Sequence, residues 1–183
     1  MKKYIRNILA AAAAAALCVS LSSCGKGGGL FAEPTPTPMP TTDAGALISL
    51  EEAQSAVGDS YTLQLDGGAV VTEGNTTTAS YVADPIGDGD PVIVKLVCCN
   101  ASATPDDVWA GYENTRVSRS GSKFVDNIGE DAYIAYPSIH VYSRGCEIII
   151  TAGSGSDDGQ DDILKKLAST AVEHLNAVMP EVK

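Results

Sequence analysis

The sequence predicts an α+β domain, an antiparallel sheet with flanking helices, and three observations carry that prediction. Short apolar or alternating segments follow one another between turn signals over residues 61–98 and again over 123–151. Capped helical segments stand before and between the two runs, and an amphipathic stretch closes the chain. Strands in sequential runs with helices beside them read as α+β rather than as alternating βαβ units.

Taken in order, Ser49-Leu50-Glu51-Glu52 is a capping box, so a short helix runs over about 50–57 and stops at Gly58. Tyr61, Leu63 and Leu65 alternate with Thr62, Gln64 and Asp66, a strand ending at Asp66-Gly67-Gly68. Ala69–Thr72, Thr76–Ala83 and Pro91–Cys98 continue as strands, and this half reads as an antiparallel meander. Thr104-Pro105-Asp106-Asp107 starts a helix with Pro at its first position and acids in its first turn, reaching about Val117. Strands follow at Lys123–Asn127, Asp131–Tyr136 and Ile139–Ser143, with a tight turn at Ser143-Arg144-Gly145. Cys146–Thr151 comes next, and its Ile148–Ile150 run suggests burial on both faces. The last helix, about Asp161–Val178, carries one apolar stripe of Leu164, Leu167, Ala168, Ala171, Val172, Leu175 and Val178, and Pro180 ends it.

The start of the chain has a different composition. Residues 1–7 are short and basic, and Ile8–Val19 is apolar with an unbroken Ala10–Ala16 run. A dozen apolar residues is too short to cross a hydrocarbon core of ~30 Å as a helix, but it fits a secretory signal. Leu21-Ser22-Ser23-Cys24 then resembles the lipobox of bacterial lipoproteins; Cys18 fits less well because the bulky Leu17 precedes it. That resemblance implies cleavage before Cys24 and a diacylglyceryl group on its sulfur. The membrane is then a partner through this lipid, and the protein sits on the outer face of the cytoplasmic membrane, or on the outer membrane where the cell has one. Gly25-Lys26-Gly27-Gly28-Gly29 and Pro34–Pro40 read as a tether, flexible and then polyproline II. The expected division is 1–23 signal, 24–46 lipidated Cys and tether, and 47–183 a single α+β domain.

Charge follows from that division. The chain has 12 basic and 23 acidic residues, a balance of −11. Without Lys2, Lys3 and Arg6 the exported part keeps nine basic residues against 23 acidic, a balance of −14. Lys165-Lys166 is its longest basic run, which argues against nucleic acid as a partner.

The stretch Asn127-Ile128-Gly129-Glu130-Asp131-Ala132-Tyr133, with Ser138–Tyr142, Arg144-Gly145 and Ile148–Ile150, is similar to the ending of small bacterial lipoproteins of the LpqN type and related PsbP-like α/β/α sandwich domains. The resemblance covers about residues 104–178. It implies an extracytoplasmic, non-enzymatic domain, and it supplies no catalytic residues.

Candidate sites are few. Gly153–Gly159 before the last helix approaches a phosphate-binding loop, but Asp157, Asp158, Asp161 and Asp162 crowd the helix start where a phosphate would sit. On a calcium-loop template Ser154, Ser156, Asp158 and Asp162 fall at ligand positions 1, 3, 5 and 9 and Gly159 at the turn glycine, position 6, yet Lys165 replaces the closing Glu and Ser the first Asp. The 84–90 loop offers Asp84, Asp88 and Asp90 with Ile86 and Lys95 out of place, so weak metal candidates are Asp84, Asp88, Asp90, Asp158 and Asp162. No resident cofactor is expected. Adjacent Cys98 and Cys99 face opposite sides of a strand, so Cys146 can meet one of them in a disulfide; three buried thiols is the other reading. His140 and His174 read as structural surface residues. A hydrolase would need His140 with a Ser and a carboxylate, and no nucleophile turn of the G-x-S-x-G type occurs. Trp109 and Tyr112 share a helix face, as core packing or as a partner patch. The expected function is a lipid-anchored binding or assembly module for an envelope protein or small ligand, with an envelope hydrolase or a calcium-dependent module as alternatives.

Overall fold

The order of strands in space differs from their order in sequence. The computed structural model describes residues 42–58, 62–66, 70–84, 91–100, 102–153 and 158–179. One antiparallel sheet of eight strands contains β1 (Thr62–Leu65), β2 (Val71–Glu73), β3 (Thr76–Asp84), β4 (Val92–Val97), β5 (Lys123–Phe124), β6 (Asp131–Ala135), β7 (Ser138–Ser143) and β8 (Cys146–Ala152). Its order is β1-β3-β4-β8-β7-β6-β5, with β2 also on β3. The helices are α1 (Leu50–Val57), α2 (Pro105–Ser118) and α3 (Asp158–Val178), preceded by a 3-10 turn at Ala44–Ala46. The fold is α+β.

Local chemistry accounts for the elements. Ser49 and Glu52 form the capping box of α1, and Thr104 with Asp107 forms a second one on α2, where Pro105 needs no donor partner. Alternation along the strands then sorts side chains to two faces. Ala79, Tyr81, Val92, Val94, Leu96, Ile134, Ile139, Val141, Ile148 and Ile150 face α1 and α3 in the main core. Tyr133, Ala135 and Tyr142 face the other way, against Trp109 and Tyr112 of α2. Helices therefore cover both faces.

Several expectations need correction. The first half is not a simple meander, because β1 pairs with the Tyr81–Asp84 end of β3 and β2 with its Thr76–Thr78 end. The strand expected at Lys123–Asn127 is cut to two residues, since Asn127 turns with φ 63. α3 begins three residues earlier than expected. Its stripe ends on buried Met179, while Val178 is half exposed. Residues 44–46 pack with the fold, because Ala44 is fully buried and its N–H donates to Thr77 Oγ1 (2.8 Å).

Candidate functional site

Two structures of the backbone shape one cleft. Arg144 and Gly145 join β7 to β8 with φ 55 and 74, the left-handed pair that a two-residue hairpin loop of type I′ requires. Facing them, the 125–130 loop approaches so closely that a Cβ on Gly129 would lie 2.6 Å from Val141 Cγ1 and 2.7 Å from the Tyr142 carbonyl oxygen. Gly129 also has φ 65, so only glycine suits the position. Hydrogen bonds fix the two segments together: Glu130 N–H donates to Tyr142 O (2.9 Å) and Arg144 N–H to Glu130 Oε1 (2.8 Å). Arg144 Nε donates to Asn176 Oδ1 on α3 (2.8 Å).

Between these groups and α3 lies a cleft of about 530 Å³, lined by Asn127, Glu130, Ser143, Arg144 and Asn176, with Gly129 and Val172 as its apolar part. One cation, one anion, two amides and a hydroxyl offer donors and acceptors on several sides. Such a lining suits a small polar ligand held by hydrogen bonds. The Asn127–Glu130 and Arg144-Gly145 segments singled out in the sequence thus converge on one place. Asn176 was not singled out, because its position relative to Arg144 depends on how α3 crosses the sheet.

His140 is buried, which corrects its expected surface position: β7 alternation turns it toward α2 with Ser138 and Tyr142. Its Nδ1 is 2.8 Å from Glu147 Oε1 on β8, and its ring stacks on that of its cross-strand partner Tyr133 at 4.7 Å. The Ser138 hydroxyl is engaged with Thr151 Oγ1 at 2.7 Å. A His-carboxylate pair is therefore present, with its nearest strand serine turned to another partner. His174 is half-buried, its Nδ1 2.9 Å from the Leu47 carbonyl oxygen and its Nε2 3.4 Å from Glu52.

Tyr112 is fully buried and stacks on half-buried Trp109, with ring centroids 5.4 Å apart. Tyr112 offers no exposed ring. The hydroxyls of Tyr112 and Tyr133 have no hydrogen-bond partner among the described residues. Burial pushes the Tyr133 hydroxyl up to about 12, helped by the Glu147 charge, and pushes Tyr112 up as well, helped by Asp131. A polar cluster lies at the β5 edge, where Tyr136 donates to Asp161 and Lys123 Nζ contacts both, at 2.7 Å and 3.3 Å. Burial works against the Asp161 carboxylate, but Tyr136 and Lys123 outweigh it and hold its pKa below the usual range.

Cys98 and Cys146 are joined in a disulfide, and Cys99 Sγ lies 4.0 Å from the Gly145 carbonyl oxygen. Asp84 closes β3, Asp158 opens α3, and Asp162 is exposed on that helix. Asp88, Asp90 and Cys24 lie outside the described residues. Among the described residues no three metal-ligating side chains cluster, and no helix is long and apolar enough to cross a membrane. Comparison of the chain with known protein families, with curated proteins and with solved structures found no match.

Proposed function

We propose that the chain is a non-catalytic binding or assembly module, carried outside the cytoplasm on a lipid at Cys24 and on the Gly/Pro-rich tether. The observation that supports binding is the polar cleft between the Arg144-Gly145 turn, the 125–130 loop and α3. Its lining presents hydrogen-bonding donors and acceptors on several sides. The lipobox-like Leu21–Cys24 supports the location.

Both halves of the proposal can be tested in the full chain. Cys24→Ala should move the protein from the membrane fraction to the soluble one, and retention in the membrane refutes the anchor. A panel of sugars, amino acids and short peptides should include at least one that raises the melting temperature in the native chain and not in Asn176→Ala. If no solute shifts the native chain, the cleft reading fails. The His140–Glu147 pair supports envelope hydrolysis as the second reading, and turnover of chromogenic esters that His140→Ala abolishes would favour it.

A further inference from the structure

The basic residues of this acidic chain are unevenly placed. Arg116, Arg119 and Lys123 fall within eight positions, and after residue 6 no other stretch of that length holds three. In space they surround the end of α2 and the terminal strand β5. Arg116 is engaged with Glu113 (3.2 Å) and Asp131 (3.1 Å), and Lys123 with Asp161. The Arg119 guanidinium makes no hydrogen bond or ion pair among the described residues. The two most exposed large apolar side chains among those residues, Val117 at 81% and Phe124 at 70%, are in the same segment. Arg116 lies over the Phe124 ring at 5.4 Å, so this cation and the aromatic face form one surface on the α2 side, while Lys123, paired with Ile134, turns its side chain to the other face of the sheet.

The backbone adds a third element. Lys123 pairs with Ile134 and Phe124 with Tyr133, and Val125 N–H donates to Ala132 O (3.0 Å). In an antiparallel ladder, hydrogen-bonded and non-hydrogen-bonded pairs alternate. Val125 and Lys123 therefore bond inward to β6, and Phe124 turns its N–H and C=O outward from the last strand of the sheet. The opposite edge bears exposed Asp66 and Glu73 near β1 and β2, a poor surface for an acidic segment.

We propose that the β5 edge accepts an extended, acidic segment of a partner polypeptide as an added strand. Its backbone bonds to the outward groups of Phe124, an apolar side chain packs on Phe124 and Val117, and a carboxylate reaches Arg119. Strand addition takes affinity from main-chain bonds and specificity from alternate side chains, which is what this edge offers. The site is separate from the cleft, and neither depends on the other.

The test follows amide exchange in the full chain by NMR, with a capped peptide whose Glu and Val stand two residues apart, on one face of the added strand, as probe and a Gln/Val peptide of the same pattern as control. The acidic peptide should bind saturably and slow exchange of the Phe124 amide. The Gln/Val peptide, and the acidic peptide on Arg119→Glu, should bind roughly tenfold more weakly. Phe124→Pro removes the outward donor while leaving the ladder to β6, and should abolish binding. If that variant fails to fold, Arg119→Glu, an exposed change, decides alone. Unchanged Phe124 exchange at high peptide concentration overturns the proposal. So does equal binding of both peptides, or protection that rises with protein concentration alone and so indicates a second copy.

Discussion

Tyr112 and Tyr133 each place a hydroxyl in the layer beneath α2 with no hydrogen-bond partner among the described residues. A buried donor left unpaired costs on the order of 1–3 kcal/mol, so deleting it should not destabilise the protein. Tyr112→Phe and Tyr133→Phe are each expected to leave the melting temperature unchanged or raised; a clear fall would mean that the hydroxyl is satisfied in solution. The same burial sets the alkaline limit. Because the folded value of Tyr133 is raised to about 12, its contribution is complete below the unfolded value near 10 and is lost as pH climbs toward 12. Denaturant titrations at rising pH should show this loss, reduced in Tyr133→Phe. Asp161 has the opposite sign. Its depressed value gives stability that is present above the unfolded value of about 4 and lost as pH falls through the folded one. Asp161→Asn should flatten the acid limb of the stability curve. At this scale the sequence was partly legible. The three-residue spacing of Trp109 and Tyr112 announced a packed face, but the burial of His140 did not follow from alternation alone, because α2 had to be known to cover that side.

The elements show where local signals suffice. The α1 capping box, the helix start at Thr104-Pro105, the Gly58 stop and the Arg144-Gly145 turn follow from residue chemistry within a few positions, and each is where the sequence puts it; that Asp107 completes a second capping box is seen only in the structure. Ser49→Ala should lower stability by about 1 kcal/mol in a denaturant titration, the usual value of an N-cap. Gly129→Ala should cost about 2 kcal/mol or more, since the added methyl meets Val141 and the Tyr142 carbonyl with φ in the left-handed region. It should also deform the cleft. A variant as stable as the native chain would show that the 125–130 loop can withdraw. Elements shaped by distant contacts were less legible: β5 reads as five residues in sequence and forms two, because the following turn leaves the ladder toward the cleft.

For the whole molecule, fold class was readable and strand order was not. Class depends on how helical and extended periodicities are distributed along the chain. Order depends on pairings across long separations, such as β4 with β8, that no local pattern encodes. The disulfide lies at the end of that same pairing and closes a separation of 48 residues. Closing a loop of this length is worth about 4 kcal/mol in the chain-entropy account. Reduction, or Cys98→Ser with Cys146→Ser, should lower unfolding free energy by a comparable amount; no change would mean that the sheet alone sets stability. The central position of β8 also imposes an order in time. A chain made from its N-terminus completes β1 to β4 early, yet the inner edge of β4 has no neighbour until residues 146–152 emerge. Non-local pairing of this kind is slow and late. The two halves of the sheet therefore close on their last strand like a keystone, and neither half has its full set of neighbours until that strand is in place.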